Sequence, residues 1–479
     1  MIAARLPELV EQLTSIVGVE GVLSAHSDLL VYECDGFVIE KNCPDVAVFP
    51  RTTEHVQAIV RLCVEHDVPF LPRGAGTSLA GGCLPVGGGV MIVLTRMKEI
   101  EEINLRDRYA VVQPGVVNVW LTQALKGTGY HYAPDPSSQG ACTIGGNVGT
   151  NSGGPHTLKY GVTVNHVLGV EAVLANGEIV QVGGPAADAP GLDLTGLLVG
   201  SEGTLALVTK VWVRLTRDPQ GWRTLLGIFE SVSDATSAIS AMIGAGIVPA
   251  ALEMMDQGIL SAVEAAFKFG FPLDAQAILL IEVDGLEAGL DSQRDEIIAL
   301  CGAHGAREVR QAVTAAERQL LWKCRKQAFG AVGRLSPSYC TQDGVVPRTK
   351  LPYILEKITE IGARYNVKIV NVFHAGDGNI HPIVLFDERD RDQVKRVLAA
   401  SGEILDECIA CGGSVTGEHG IGVEKIEFMS KMFTPDDLDC MARVRMAFNP
   451  TGRLSPSKML PTSGACGLEQ RHPGRRAAM

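Results

Sequence analysis

The 479-residue chain has no apolar run approaching the ~20 residues that a membrane-spanning helix needs. Its start, Met1-Ile-Ala-Ala-Arg-Leu6, lacks a basic segment followed by an apolar one, so no secretory signal is expected. The Gly-X-Y period of collagen is missing, and 46% apolar residues exclude a disordered chain. Basic residues are in deficit, 42 against 54 acidic ones, for a formal net charge of −12. Nucleic acid and anionic membrane surfaces are therefore not expected partners, and a small acidic substrate would need a local basic pocket. The 12 cysteines are scattered, many within apolar segments such as those around Cys63 and Cys440. They read as reduced thiols in a cytoplasmic protein. Cys408-x-x-Cys411 stands alone near a helix end, without the two further thiolates that an iron–sulfur cluster requires.

At roughly 150 residues per domain the length predicts two or three domains. Leu6, Leu9, Val10, Leu13, Ile16 and Val17 recur at helical spacing. A strand over 45–49, a helix capped by Thr52 or Thr53 with Val56, Ile59, Val60 and Cys63 on its apolar face, and a strand over 69–72 follow. Further strands are expected over 90–94, 110–113, 167–174 and 205–215, and a turn-rich boundary falls at Arg217-Asp-Pro-Gln-Gly221. Beyond it, strands over 224–229, 250–255 and 277–283, helices from Ser233 and over 288–300, and a short strand near Val309 resemble a split β-α-β layer. Helices dominate 312–331 and 393–410. We place a helical segment at 1–40, a first domain at 41–217, a second at 218–460 and a disordered tail at 461–479.

Glycine is abundant, 54 residues, and it clusters. In Pro72-Arg-Gly-Ala-Gly-Thr-Ser-Leu-Ala-Gly-Gly82, Gly74 and Gly76 permit close backbone approach and successive N–H groups can cradle an anion. Leu79 stands where a dinucleotide fingerprint needs its third glycine, and no Gly-Lys-Ser/Thr follows, so neither that motif nor an ATP loop is present. By itself the loop fits a plain structural turn equally well. Pro134–Gly154 holds many small residues, with Asn147, Thr150, Asn151 and Ser152 as hydrogen-bonding groups, as a backbone wrapped on a ligand requires. A third turn is Val199-Gly-Ser-Glu-Gly-Thr-Leu205.

In order and spacing these segments resemble the FAD-binding domain of the vanillyl-alcohol oxidase / p-cresol methylhydroxylase (PCMH) superfamily. The resemblance implies that Arg73, Gly74, Ala75, Gly76, Thr77 and Ser78 hold the pyrophosphate. It implies that Pro134, Asp135, Ser137, Ser138, Gly145, Gly146, Asn147, Thr150, Asn151, Ser152, Gly153 and Gly154 line the rest of the cofactor. Glu202 and Gly203 then close the adenine end. No histidine lies in the 72–82 loop, and although Cys142 is present, the subgroup resembled holds FAD non-covalently.

Of the 11 histidines, three fall in two short motifs. In Phe373-His-Ala-Gly-Asp-Gly-Asn-Ile-His381, Asp377-Gly-Asn379 is a hairpin-turn signal that brings His374 and His381 onto facing strand ends. Gly417-Glu-His-Gly-Ile-Gly422 leaves Glu418 and His419 little steric cover. Two imidazoles and a carboxylate suit Zn²⁺, Mn²⁺ or Fe²⁺ with open positions. These motifs resemble the C-terminal domain of FAD-linked oxidases: glycolate oxidase FAD-linked subunits, D-lactate dehydrogenases and D-2-hydroxyglutarate dehydrogenases. The resemblance spans about residues 5–460 and includes Leu321-Trp-Lys-Cys-Arg325, Asp343–Pro352 and Glu253-Met-Met-Asp256. It implies an α+β, two-domain PCMH-type fold with a ferredoxin-like-plus-helices second domain. It also implies His374, His381 and Glu418 as metal ligands, His419 as general base and Arg325 as the substrate-carboxylate partner, with Arg348 and Lys350 either helping or merely solvated.

The 2-hydroxyglutarate enzymes carry Lys-Tyr-Asp where this chain has Thr341-Gln-Asp343, and Asn where it has Ile383. Both departures weaken a second-carboxylate clamp and point to glycolate or D-lactate. The expected chemistry is metal-assisted hydride transfer from a small 2-hydroxy acid to FAD, with a non-NAD electron acceptor. The alternatives are a flavin-carrying subunit of a complex with flavin-type and iron–sulfur partners at the inner membrane face, a D-2-hydroxyglutarate dehydrogenase, or a zinc hydrolase that leaves the glycine loops unexplained. A homodimer is compatible with all of these.

Overall fold

A computed structural model describes residues 2–186 and 190–461. The tail expected after 460 therefore lies, beyond Pro461, outside the described residues. The chain divides into two compact units. The first takes residues up to Ser152, Val162–Arg217 and the chain from Glu418 on; the second takes Gly153–Gly161 and Asp218–Gly417. Among the described residues no helix is long and apolar enough to cross a membrane.

In the first unit, strands Val46–Val48 and Phe70–Arg73 lie parallel on either side of Val90–Val93. The helix Thr53–Glu65 connects them. Thr52 caps it, its hydroxyl accepting from His55 N at 3.2 Å. Its face of Val56, Ile59, Val60 and Cys63 is fully buried against Leu9 and Leu13 of the opening helix Ile2–Val17. The end of the described chain returns here, Phe70 N donating to Arg453 O at 2.9 Å. A second, antiparallel sheet runs in the order Ile100–Asn104, Tyr109–Val112, Ala206–Arg214, Val167–Leu174, Ile179–Gly183.

Within the expected glycine loop, Ile144–Thr150 forms a short helix. Thr143 caps it by accepting from Gly146 N at 3.2 Å, and Asn151 ends it in the left-handed conformation. Gly145 is required because a Cβ there would meet Pro114 Cβ at 2.5 Å. Gly145 serves close packing of a helix turn, a purpose that composition does not distinguish from a loop.

The second unit is built on an antiparallel sheet whose first strands run in the order Ala306–Ala312, Gly221–Phe229, Ala277–Gly285, Ala251–Asp256. Helices Val232–Gly244 and Leu290–Ala303 complete the ferredoxin-like arrangement. Lys368–His374 extends this sheet beside Ala251–Asp256. The helix Leu351–Tyr365, which the sequence reading passes over, buries Leu351, Ile354, Leu355, Ile358 and Ile361 at helical spacing.

Candidate active site

The strand Lys368–His374 turns at Asp377-Gly378 and returns through Asn379–Ile380, so that His374 stands opposite Asn379. Gly378 has φ +81°, and a Cβ on it would lie 2.1 Å from Val346 O, so no other residue fits. Asp377 Oδ1 accepts from Asn379 N at 3.1 Å and sets the turn. His374 and His381 are both buried, with ring centroids 5.2 Å apart and ring planes at 84°. The hairpin read from the sequence brings the two rings together.

Behind His374 stands Glu253, its register partner on the neighbouring strand. His374 Nδ1 lies 2.8 Å from Glu253 Oε1. A carboxylate only accepts, so Nδ1 carries the proton and the lone pair falls on Nε2, the arrangement a metal-ligating histidine needs. Glu253 Oε2 accepts from Arg325 Nε at 2.7 Å and lies 2.6 Å from Nη2. Burial works to raise the Glu253 carboxyl, but the charge of Arg325 and the hydrogen bonds donated by His374 and Arg325 hold it below the usual range. Arg325, on the helix Ala315–Val332, is 0% exposed. Its Nη1 has no hydrogen-bond partner among the described residues.

His381 Nε2 lies 3.4 Å from Asp343 Oδ1. Asp343 Oδ2 accepts from Thr416 Oγ1 at 2.6 Å and from Gly417 N at 2.9 Å. Thr341 and Ile383, the two departures noted above, are cross-strand partners. Ile383 is fully buried. Arg348 Nη1 donates to Gly376 O at 3.2 Å, and Lys350 ends the same short 3-10 turn.

In the first unit, Glu418 Oε1 lies 3.7 Å from His419 Nε2. The chain then turns through Gly420 (φ +88°) and Gly422 (φ +52°). The Glu202 carboxylate accepts from Ile421 N and Gly422 N, each at 2.7 Å. Burial pushes Glu202 up, against the pull of those donors and of Lys458.

Several of the residues expected to hold a cofactor spend polar groups inside the protein. Arg73 donates to Cys34 O at 3.0 Å and to Cys83 Sγ at 3.2 Å. Asn147 Oδ1 accepts from Asn118 Nδ2 at 3.0 Å, and Asn151 Oδ1 from Val164 N at 2.8 Å. Asn118 also donates to Pro134 O at 3.0 Å. Gly74 sits where a Cβ would meet Thr143 Oγ1 at 2.7 Å, and Gly203 where it would meet Pro72 Cγ at 2.4 Å. By contrast, the hydroxyls of Ser78 and Ser152 are buried with no hydrogen-bond partner among the described residues. Unsatisfied buried hydroxyls in two glycine-rich segments fit the polar atoms of a cofactor. Gly153 and Gly154 belong to the second unit.

Sequence reasoning did not foresee the roles of Glu253, Asp343 and Glu282. Glu282 accepts from Arg318 Nη2 at 2.6 Å, Trp322 Nε1 at 2.9 Å and Thr224 Oγ1 at 2.5 Å. A signal was present: Glu253 and Glu282 each interrupt an apolar strand, Ala251–Asp256 and Ala277–Gly285, at a buried position. Buried carboxylates demand partners.

Comparison with known proteins places the chain in a family. Residues 219–459 match the family "FAD linked oxidases, C-terminal domain", and residues 44–183 match "FAD binding domain". The chain is 44% identical over 445 residues to the glycolate oxidase subunit GlcD of Escherichia coli (strain K12), covering 93% of this chain and 89% of that one. It is 30% identical over 464 residues to a probable mitochondrial D-lactate dehydrogenase of Danio rerio, covering 95% and 92%. The fold matches that of p-cresol methylhydroxylase with a TM-score of 0.79 at 17% identity, over 95% of this chain and 96% of that one. With one family model spanning half of the chain and close relatives aligned along nearly all of it, the chain belongs to the FAD-linked oxidases, oxidoreductases with a PCMH-type, two-domain FAD-binding fold.

Proposed function

We propose that this enzyme oxidises a small 2-hydroxy monocarboxylate, glycolate or D-lactate, to the 2-oxo acid and passes the electrons to an acceptor other than NAD. The observation that carries this reading is Glu253, buried between Arg325 and His374, which ties a guanidinium to a histidine oriented as a ligand. His374 and His381 are the nitrogen donors we assign to a Zn, Mn or Fe ion. Glu418 follows Gly417, whose N–H Asp343 holds, and is the carboxylate we assign with them. A bound flavin would supply the acceptor for the α-hydrogen as hydride, and a bound divalent metal would supply polarisation of the substrate hydroxyl. His419 takes the hydroxyl proton on an imidazole nitrogen. Arg325 orients the substrate carboxylate through Nη1, the edge of its guanidinium not committed to Glu253. The names of the relatives, a glycolate oxidase subunit and a D-lactate dehydrogenase, support the substrate class. Apolar Ile383 opposite Thr341 supports a monocarboxylate over a 2-hydroxyglutarate.

The test is a dye-reduction assay of metal-replete protein against glycolate, D- and L-lactate, D-2-hydroxyglutarate and D-malate, with the flavin spectrum followed. Bleaching by glycolate or D-lactate is expected, and bleaching by D-2-hydroxyglutarate alone would reject the monocarboxylate reading. His374→Ala is expected to lose metal and turnover while keeping FAD; full activity in that variant would reject the metal assignment. A second reading rests on the word "subunit" in the relative's name: the chain works within a larger complex. Flavin bleaching without dye turnover by the isolated chain favours it.

A further inference from the structure

The loop that carries His419 is rich in glycine, and glycine alone does not define where a side chain stands. Its definition comes from outside the loop. Gly420 and Gly422 both have positive φ, so the N–H groups of Ile421 and Gly422 point together and form a concavity for an anion. The Glu202 carboxylate fills it, one oxygen on each N–H at 2.7 Å. The fit leaves no slack: a Cβ on Gly420 would lie 2.6 Å from Glu202 Oε1.

Glu202 is itself held. Its backbone takes the uncommon left-handed conformation at φ +50°, and its N–H donates to Gly149 O at 2.7 Å, in the helix Ile144–Thr150. For a glutamate that conformation is costly and persists where surrounding contacts impose it. The same loop is tied to the first glycine-rich segment, where Ala80 O accepts from Val423 N at 3.0 Å and Glu424 N at 3.3 Å. Gly422 is obligatory there, because a Cβ would come within 1.9 Å of Ala80 O.

We propose that Glu202 is a positioning residue for His419: its carboxylate clamps the Ile421 and Gly422 N–H groups and fixes the base-bearing loop against the two glycine-rich segments. This departs from the expectation that Glu202 closes the adenine end of the cofactor, and it rests on the reading of His419 as the base.

The test uses the FAD-loaded, metal-replete full chain carrying Glu202→Gln, Glu202→Asp or Gly420→Ala. One readout is amide hydrogen exchange of peptides covering 418–424; the others are FAD content and the single-turnover rate of flavin reduction. Glu202→Gln is expected to speed exchange in 418–424 and slow flavin reduction by about tenfold or more, as misplacement of a reacting group does, with FAD content and the substrate concentration that half-saturates that rate unchanged. Glu202→Asp, which keeps two acceptor oxygens, is expected to restore part of both. Gly420→Ala, which displaces the carboxylate from the other side, is expected to reproduce the exchange signature even if Glu202→Gln fails to fold. Loss of FAD with unchanged exchange in 418–424 would return Glu202 to the cofactor and overturn the proposal, as would unchanged exchange in Gly420→Ala. Exchange needs no substrate, so a wild-type enzyme that no hydroxy acid bleaches would reject the proposed function and leave the clamp testable.

Discussion

A carboxylate buried without partners is neutral at pH 7, and a guanidinium cannot give up its charge. Glu253 and Arg325, both fully buried, therefore depend on each other. Glu253→Gln preserves shape but leaves Arg325 uncompensated, so we expect a loss of about 3–5 kcal/mol in urea unfolding. Unchanged stability would mean that the pair is not the compensating contact. The same variant removes the group that orients His374, and we expect metal affinity to fall by roughly 10–100-fold by calorimetric titration of metal-free protein. His374-x₆-His381 was legible in the sequence because a tight turn joins the two positions. The role of Glu253 was not legible, because its partners lie 72 and 121 residues away and no local pattern links them.

At the scale of elements, Asp256 ends one strand and starts the helix Gln257–Phe267. It accepts from Ile259 N at 3.0 Å and from Asn371 N at 2.6 Å, and so joins helix, strand and the neighbouring Lys368–His374. Burial outweighs those donors and pushes its carboxyl up from 3.8 to about 6. The sign follows from linkage: with the folded pKa above the unfolded one, the folded state binds more protons between the two values. Its contribution is full below pH 3.8 and is lost as pH rises through about 6. Relative to Asp256→Asn, wild-type stability should therefore decline between pH 4 and 7, by on the order of 3 kcal/mol. A parallel pair of stability–pH curves would refute this. The helix Ile144–Thr150 yields another prediction. Gly145→Ala forces a Cβ onto Pro114 and should lower FAD content in the purified protein. Most elements were readable from period and caps, as at Thr52. This helix was not, because Gly145 answers to Pro114, a residue distant in sequence.

For the whole molecule, the acidic balance of −12 leaves any anion-binding site to local arrangement. Both expected ligands should separate by experiment. FAD added to flavin-free protein at a hundredfold over its Kd should stabilise it by about 2.7 kcal/mol, read as a raised Tm. Acid precipitation should release all of the flavin into the supernatant if the cofactor is non-covalent, and flavin retained in the pellet would point to Cys142. Chelation should abolish dye reduction while leaving the flavin absorbance intact, and turnover surviving exhaustive chelation would remove the metal from the reaction.

Local physics makes part of this protein legible from residue order: the helical and strand periods, the caps, the hairpin that pairs His374 with His381, and the glycine-rich segments by which the family can be recognised. These depend on residues a few positions apart. Tertiary structure alone decided which buried charges meet. It placed Glu253 between Arg325 and His374, set Thr341 opposite Ile383, and turned Glu202 onto the loop of His419. The reason is desolvation: a charge taken out of water must find a counter-charge or donor wherever the fold supplies one, at any separation along the chain.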